Sequence, residues 1–266
     1  MSDPDSGLVE AGYDAVYSGM PASPTLRRLW REHAAGLDFP DEFAHISFVT
    51  IAQLRRMADE LHLSSGNMLV DLGCGMAGPA LWMARETGAR LTGVDLSAVA
   101  IAQATARAAA LGLANDASFV VGAFAATGLP SDFADGITSE DALQYAPDKR
   151  SAFAEAARIM RPGGRFVFTA FELDPSRVAD LPVLGADPAD DYRPLLETAG
   201  FTVGVYEEVP GWSESVTSAY SGVLAAKDPL VEEMGEAAFA ALAFEMSLTL
   251  ERKPYRRRVL AAATKQ

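Results

Sequence analysis

The sequence predicts an α/β fold in which helices wind on both sides of a mostly parallel sheet. Short apolar runs alternate with helical stretches over residues 67–171. A glycine-rich turn, Gly73-Cys74-Gly75-Met76-Ala77-Gly78, separates the first strand from the helix that follows it. The second strand ends in Asp95, 24 positions after Asp71 (95 − 71), which is the spacing that one intervening helix requires. These observations place a ligand site at the carboxyl ends of the first two strands.

Composition limits the class of protein. The chain has 266 residues, of which 49% are hydrophobic, so it can form one α/β domain with an added element or two small domains. Its formal net charge of −14 argues against nucleic acid as a partner, because binding phosphates needs a basic face. The same acidity argues against anionic membrane surfaces. We therefore expect neither a nucleic acid nor a membrane as partner.

Cysteine content and the first residues indicate a cellular location. Cys74 is the only cysteine, so a disulfide framework is excluded and a reducing compartment is compatible. The segment Met1-Ser2-Asp3-Pro4-Asp5 lacks the basic and apolar regions of a signal peptide. No apolar run is long enough to span a membrane, and the expected location is the cytoplasm. Since Cys74 lies inside the glycine turn, where a small side chain is needed, we expect it to pack rather than to react.

The glycine turn predicts an adenosine-cofactor site. It follows a strand at Asn67-Met68-Leu69-Val70 and precedes a helix over residues 79–87. Glycines let the backbone approach a ligand at dihedral angles that side chains forbid, and the start of a helix offers unpaired N–H donors. As G-x-G-x-x-G, the turn fits a dinucleotide site that binds a pyrophosphate. The carboxylate of Asp71, however, would repel a pyrophosphate and suits a ligand with an ammonium group.

The order Asp-x-Gly-x-Gly at the end of a first strand resembles the first motif of class I S-adenosylmethionine-dependent methyltransferases. The resemblance implies S-adenosyl-L-methionine as the cofactor and S-adenosyl-L-homocysteine as its product, and we expect no metal ion. At the end of the second strand, Asp95 is placed to accept hydrogen bonds from both ribose hydroxyls of an adenosine. The expected cofactor contacts are Asp71, Gly73, Cys74, Gly75, Gly78, Asp95, Leu96, Ala123, Phe124, Glu140 and Tyr17.

The third and fourth strands extend the site. Residues 117–122 predict a third strand, after which the family often has an acidic residue that binds the adenine amino group. This chain has Ala123 and Phe124 there, which leaves the contact to backbone groups and to Phe124 as an apolar wall. Residues 135–140 predict a fourth strand, and in the methyltransferase fold the residues that follow it face the methyl-transfer centre.

Candidate catalytic residues follow from the chemistry of methyl transfer. A general base is needed only where the acceptor must lose a proton, as a hydroxyl or an acidic carbon does. Glu140 and Tyr145 come at the end of the fourth strand and are candidates for active-site lining. His45, at the start of a helical region expected over residues 43–63, is the third candidate base. The alternative for His45 is a hydrogen-bonded histidine at a helix start or on the surface.

The carboxyl-terminal half completes the sheet. Either Asp141 or Asp148 is expected to cap the helix predicted over residues 149–160. The sequence Ile159-Met160-Arg161-Pro162-Gly163-Gly164 resembles a late methyltransferase motif, in which proline ends the helix and the glycines reverse the chain. The remaining elements are a strand over 166–171, a helix over 190–201, a strand over 202–209 and an antiparallel last strand over 257–264. The resemblance thus implies a Rossmann-like, doubly wound sheet of seven strands.

Two helical segments lie outside these motifs. Residues 1–42 are expected to form an N-terminal lid in which Tyr13 and Tyr17 share one helix face, and the alternative is that both tyrosines only anchor a peripheral helix. Residues 212–253 are expected to form a helical insertion that completes the substrate pocket. The alternative for this insertion is a packing element or a homodimer contact. The basic residues between 252 and 258 are interpreted as a solvated rim.

The resemblance covers about residues 43–210 and the last strand, within a methyltransferase domain expected over residues 43–266. It implies transfer of a methyl group to an O, N or C atom of a small-molecule acceptor. One alternative is the same fold with non-methylating chemistry or a cofactor-binding role. An NAD-dependent oxidoreductase is the other alternative.

Overall fold

The computed structural model describes residues 4–177 and 187–266. The strands are β1 (Met68–Leu72), β2 (Arg90–Asp95), β3 (Ala117–Val121), β4 (Ala134–Glu140), β5 (Met160–Leu173), β6 (Phe201–Glu208) and β7 (Arg256–Lys265). They form one sheet in the order β3-β2-β1-β4-β5-β7-β6. Strands β1 to β5 pair in parallel, and β7 lies antiparallel between β5 and β6. The predicted fold class and its antiparallel last strand are confirmed.

Helices cover both faces of the sheet. They are α1 (Pro4–Gly19), α2 (Pro24–Trp30), α3 (Ile51–Leu61), α4 (Gly78–Thr87), α5 (Ala98–Ala110), α6 (Lys149–Ile159), α7 (Arg193–Thr198), α8 (Trp212–Ala225), α9 (Lys227–Met234) and α10 (Glu236–Arg252). Leu69 and Leu91 belong to the apolar core that includes α3, α4 and α5. Val70 and Val94 belong to the core on the opposite face, which includes α6 and α7. Alternate residues of each strand therefore face opposite helical layers, because side chains alternate along a strand.

Side-chain caps set the starts of four of the described helices, and Ser23 caps α2 by accepting the N–H of Leu26. The hydroxyl of Thr50 accepts the N–H of Gln53 at the start of α3, and Ser97 caps α5 in the same way. Asp148 accepts the N–H of Ser151 and caps α6, which decides between the two predicted candidates for that helix. Each cap satisfies a backbone donor that has no partner within the helix.

Three predicted elements need correction. The helix expected over 43–63 begins only at Ile51, and residues 44–50 form a loop. The helix expected over 190–201 is limited to the six residues of α7. The Arg-Pro-Gly-Gly segment lies inside β5 and not before it: Met160 already pairs with Ala134, and Arg165 pairs with Gly136, so residues 161–164 form an irregularity within the strand pairing. A backbone φ of +78° at Gly163 permits this irregularity.

The segments on either side of the central sheet motifs are helical, as predicted. We refer to α1, α2, α8, α9 and α10 together as the helical cover. Within it α1 packs against α10, and α2 packs against α8 and α9. Helix α1 also packs on α5, which joins the cover to the sheet layer. Among the residues that the structure describes, no helix is long and apolar enough to cross a bilayer.

The basic residues before and within β7 do not form a solvated rim. Arg252 and Arg258 are fully buried, whereas Lys253, Arg256 and Arg257 are partly exposed. The Arg258 guanidinium forms two hydrogen bonds to the Asp141 carboxylate, at 2.8 and 3.0 Å. The expectation failed for Arg258 because the folded chain buries it against Asp141, which is 117 positions away in the sequence.

Candidate active site

A cavity of about 450 Å³ opens at the carboxyl ends of β1, β2 and β4. The sheet edge forms its floor and the helical cover forms its opposite wall. A volume of this size lies in the range of small-molecule sites. Of the predicted site residues, those that line the cavity are Tyr17, His45, Gly73, Cys74, Gly75, Gly78, Asp95, Leu96, Ala123, Phe124, Glu140 and Tyr145. One predicted cofactor contact, Asp71, does not line it.

The glycine turn is shaped by close contacts that leave no room for side chains. Gly73 has φ +77°, and a Cβ placed there would lie 2.6 Å from the Ala142 Cβ. At Gly78, a Cβ would lie 2.1 Å from the carbonyl oxygen of Phe43. Cys74 is buried within the turn, and burial raises the pKa of its thiol well above the usual value. The thiol therefore stays protonated at neutral pH, which supports packing rather than reactivity.

Asp95 is fixed beside the turn by backbone donors. One carboxylate oxygen accepts the N–H of Gly75 at 2.8 Å, and the other accepts the N–H of Ser97 at 2.9 Å. Each oxygen keeps a further lone pair, so the group can still accept from a ligand hydroxyl. Burial raises the pKa of Asp95, and the two backbone bonds oppose that rise. The predicted neighbourhood of Asp95 and the glycine turn is thus present.

Asp71 and Glu140 form a buried carboxyl pair. Glu140 belongs to the cavity wall, and Asp71 lies behind it. Asp71 is 1% exposed, and its Oδ1 atom has no hydrogen-bond partner. Burial and the neighbouring Glu140 raise the pKa of Asp71. Burial also raises the pKa of Glu140 to about 7, although the Thr138 hydroxyl donates a hydrogen bond to it. Because two carboxylates this close resist ionising together, the pair favours holding one proton or a nearby cation.

His45 lies in the loop of residues 44–50 and not on a helix. Its Nδ1 atom is 2.9 Å from the Ser47 hydroxyl, and its ring meets the edge of Phe39 at 4.4 Å between centroids. Burial lowers the pKa of His45 to about 3. At neutral pH the imidazole is therefore uncharged, and so low a pKa makes it a weak proton acceptor.

Tyr145 contacts a residue that sequence reasoning missed. Its hydroxyl donates a hydrogen bond to the carboxylate of Glu245 on α10, and the Tyr13 hydroxyl reaches the other carboxylate oxygen at 3.1 Å. The rings of Tyr13 and Tyr145 meet edge to face, with centroids 5.6 Å apart. A signal for Glu245 was present, since it lies three positions after buried Leu242 and therefore on the inward face of α10.

Helix α1 is held over the glycine turn by polar contacts. The Ser97 hydroxyl donates to the Asp14 carboxylate, and the Gln103 amide donates to the Tyr17 carbonyl at 2.6 Å. These contacts bring the Tyr17 hydroxyl against Gly75, where a Cβ would lie 2.7 Å from it. Tyr13 and Tyr17 line the same cavity, with ring centroids 5.7 Å apart. The tyrosines of the predicted lid therefore form part of the cavity wall.

The charge of the wall distinguishes between the two cofactor classes. Among the described residues that line the cavity, none is lysine or arginine, and five are aspartate or glutamate: Asp95, Glu140, Asp141, Asp148 and Glu245. A pyrophosphate would find no cationic side chain here. A sulfonium and an ammonium group match these carboxylates and the unpartnered Oδ1 of Asp71 behind them. The site thus fits S-adenosylmethionine better than a dinucleotide.

Comparison with known proteins agrees with this fit. Residues 70–168 match the family model described as a methyltransferase domain. The 27-O-demethylrifamycin SV methyltransferase of Amycolatopsis mediterranei (strain S699) is 28% identical over 231 residues, which is 81% of this chain and 83% of that protein. The match therefore covers more of the chain than the family model does.

Two solved structures show the same fold. The structure of the (4+2)-cyclase SpnF has a TM-score of 0.78 and 21% identity, covering 100% of this chain and 98% of that one. A geranyl diphosphate methyltransferase in complex with S-adenosylmethionine has a TM-score of 0.59 and 22% identity, covering 81% and 85% of the two chains. Identities this low support the shared fold alone.

Proposed function

We propose that the chain is a class I S-adenosylmethionine-dependent methyltransferase, which transfers a methyl group to a hydroxyl oxygen of a small, largely apolar acceptor. The methyltransferase-domain match over residues 70–168 and the similarity to a rifamycin methyltransferase support this proposal. The cofactor of this family is S-adenosylmethionine. The observation that carries the proposal is the cavity itself, whose floor is the glycine turn with Asp95 and whose opposite wall is aromatic and apolar. The two halves of the cavity suit a polar cofactor and an apolar acceptor, respectively.

The cofactor half is built from the sheet edge. Gly73 and Gly75 would allow close approach of the backbone, Asp95 would accept from the ribose hydroxyls, and Phe124 would form an apolar wall against the adenine. When bound, S-adenosylmethionine supplies an electrophilic methyl group on a positively charged sulfur. The carboxyl pair of Asp71 and Glu140 would favour a positive charge nearby, because both groups are buried and no cationic side chain is among the groups that shift their pKa values.

The acceptor half is built from the loop before α3, the end of β5 and the helical cover. Its apolar lining comes from Phe48, Phe171, Tyr220, Leu242 and Met246. Such a wall would exclude water and hold the acceptor in line with the methyl group, and positioning of this kind supplies much of the rate in group transfer. A hydroxyl acceptor is supported by the relative whose name specifies O-methylation of a rifamycin.

Cofactor binding is the first part of the test. We would titrate S-adenosylmethionine, S-adenosylhomocysteine and NADH calorimetrically into the wild type, Asp95→Ala and the control Asp132→Ala, whose carboxylate bonds Lys265 outside the cavity. We expect binding of the first two ligands, weakened about tenfold or more by Asp95→Ala and unchanged by the control. Binding of NADH alone would overturn the proposal.

Product analysis is the second part. The wild type is incubated with S-adenosylmethionine and a panel of hydroxyl-bearing apolar acceptors that includes 27-O-demethylrifamycin SV. Release of S-adenosylhomocysteine that depends on the acceptor, with a matching methyl ether, supports the proposal. Conversion of an acceptor without that release would instead indicate non-methylating chemistry on this fold, the alternative for which the SpnF structure gives a full-length precedent.

A further inference from the structure

A carboxylate and two tyrosines from three distant parts of the chain meet at the acceptor side of the cavity. Glu245 comes from α10, Tyr145 from the turn after β4, and Tyr13 from α1, and all three line the cavity. Tyr145 donates to one oxygen of the Glu245 carboxylate. Tyr13 donates to the other oxygen, at 3.1 Å. The carboxylate is therefore oriented by two hydroxyl donors while it remains beside the acceptor space.

An apolar side chain would fill this place at lower cost. The neighbours of Glu245 on the inward face of α10 are Leu242 and Met246, both buried. Placing a carboxylate between them costs desolvation energy that two tyrosine hydroxyls only partly return. The two hydrogen bonds alone do not require a charged group, since a glutamine would also bridge the tyrosines. The feature that glutamine lacks is the capacity to take up a proton.

The surroundings of the cluster favour proton uptake. Burial raises the pKa of Glu245, which the bonds from Tyr145 and Tyr13 oppose. The charged or titratable groups that face it are Tyr13 and Tyr17 from α1, Tyr145, Tyr220 from α8 and Arg256 from β7. Burial raises the pKa of Tyr145 well above its usual value, so this tyrosine keeps its own proton unless another replaces it.

We propose that Tyr145 and Glu245 form a proton relay that deprotonates the acceptor hydroxyl during methyl transfer, with Tyr13 holding the carboxylate in position. This rests on the proposed O-methylation. As the acceptor oxygen bonds to the methyl carbon, the carbon–sulfur bond breaks and its electron pair stays on sulfur. The acceptor proton passes to the Tyr145 oxygen, and the Tyr145 proton passes to Glu245, which becomes neutral and later releases the proton to solvent. Tyr145 is the catalytic residue of the relay, whereas Glu245 acts through it.

Variants separate proton transfer from helix packing. Glu245→Gln keeps the size and the bridging capacity of the side chain, and Tyr145→Phe removes the hydroxyl alone. The matched control is Glu233→Gln on α9: Glu233 also binds two hydroxyls, those of Ser23 at 2.6 Å and Thr25 at 2.7 Å, but it does not line the cavity. With the acceptor found in the panel above, kcat, KM and the pH profile are measured for each protein.

The relay predicts a loss of kcat in both site variants. We expect Glu245→Gln and Tyr145→Phe to lower kcat by about 10²–10⁴-fold, the usual contribution of general-base catalysis, while the affinity for S-adenosylhomocysteine stays within about twofold. The wild-type kcat should rise with pH through the raised pKa of Glu245, and this limb should vanish in Glu245→Gln. The control Glu233→Gln should keep both the rate and the limb. Site variants that retain kcat within about twofold would overturn the relay.

A second readout needs no acceptor. Infrared spectra of the S-adenosylhomocysteine complex, taken as a function of pH for wild type and Glu245→Gln, isolate the carboxyl band of Glu245. We expect a protonated carboxyl that ionises above the ordinary glutamate value of about 4.3. A band that ionises at or below that value would overturn the relay. If the wild type itself methylates no hydroxyl in the panel, the proposed function fails and the relay fails with it. This outcome differs from the one in which the wild type methylates an acceptor and the Glu245→Gln and Tyr145→Phe variants keep their kcat, which overturns the relay alone.

Discussion

The sheet side and the helical cover contribute to one cavity in different ways. On the sheet side, the glycine turn and Asp95 lie within 22 positions of one another (95 − 73) and come together through one strand–helix–strand unit. On the cover side, Tyr13 and Glu245 are 232 positions apart and meet only because α1 packs on α10. The comparison shows that the neighbourhood of the glycine turn and Asp95 can be read from local motifs, whereas the contact of Tyr13 with Glu245 depends on long-range packing.

Polar contacts fasten the loop before α3 and the last strand to the end of β4, and others join α1 of the helical cover to the sheet layer. Asp141, at the end of β4, accepts the backbone N–H of Phe48 at 2.7 Å and forms the ion pair with Arg258 of β7. Ser97, at the start of α5, bonds Asp14 of α1. If the two regions are as distinct as their contacts indicate, some substitutions should change the free energy of unfolding without changing cofactor affinity. Others should change cofactor affinity.

The largest expected effect is at the buried ion pair of Asp141 and Arg258. Asp141→Asn keeps the shape and the tolerance for the left-handed φ of +56°, but leaves the buried Arg258 without its counter-charge. We expect a loss of about 3–5 kcal/mol of unfolding free energy, measured by urea denaturation. The exposed pair of Asp191 and Arg193 provides the control, for which Asp191→Asn should cost less than about 1 kcal/mol. Equal costs at both sites would contradict the burial of the Asp141–Arg258 ion pair.

The next effect concerns the pH dependence of stability. Burial raises the pKa of Glu140 from 4.5 to about 7, so its contribution to stability is present below the lower value and is lost as pH rises through about 7. Between pH 4.5 and about 7, the unfolding free energy of Glu140→Gln should therefore fall less than that of the wild type, by on the order of 1–3 kcal/mol.

Glu155→Gln is the matched control for this pH dependence. Arg158 lowers the pKa of Glu155 to about 2, so its own contribution is lost only as pH falls below its ordinary value of 4.5. The control should therefore leave the slope between about pH 5 and pH 7 unchanged. An unaltered slope in Glu140→Gln would show that Glu140 ionises at its ordinary value in the folded protein.

A smaller effect tests the contact between lid and turn. Gly75→Ala places a Cβ 2.7 Å from the Tyr17 hydroxyl at a φ of +51°. We expect the affinity for S-adenosylhomocysteine to fall about tenfold or more in calorimetry, because Tyr17 or the turn must shift. Gly128→Ala has a comparable φ of +74° with no atom within 4 Å, so it should lose only stability, by about 1–2 kcal/mol. Similar affinities in the two variants would mean that Tyr17 does not define the cofactor space.

The smallest effect is confined to the cover. Ser23 caps α2 and bonds Glu233 of α9, so Ser23→Ala should cost about 1 kcal/mol of unfolding free energy. Cofactor affinity should remain unchanged, since neither residue lines the cavity. Ser18→Ala, at an exposed position, should stay within about 0.5 kcal/mol of wild type. A loss of cofactor affinity in Ser23→Ala would show that the cover acts on the whole cavity.

Prediction succeeded where the determining interactions are local and failed where they are not. The strand ends, the glycine turn and the Ser97 cap follow from hydrogen bonds and backbone conformations within a few residues. The start of α3 was misplaced because the loop over residues 44–50 is held by Asp141 and by Arg107, which donates to the carbonyl of Ala44 at 2.8 Å. Neither partner is near this loop in sequence.

The sequence by itself determined the α/β fold and the sheet edge that carries the glycine turn and Asp95, because alternating hydrophobic periods and glycine turns act over short range. Tertiary structure decided which polar residues became buried partners. Arg258, assigned to a solvated rim, neutralises Asp141, and Glu245 on an otherwise apolar helix face receives two tyrosine hydroxyls. The physical reason is that the cost of burying a charge depends on the groups that surround it in the folded chain, and no local pattern specifies them.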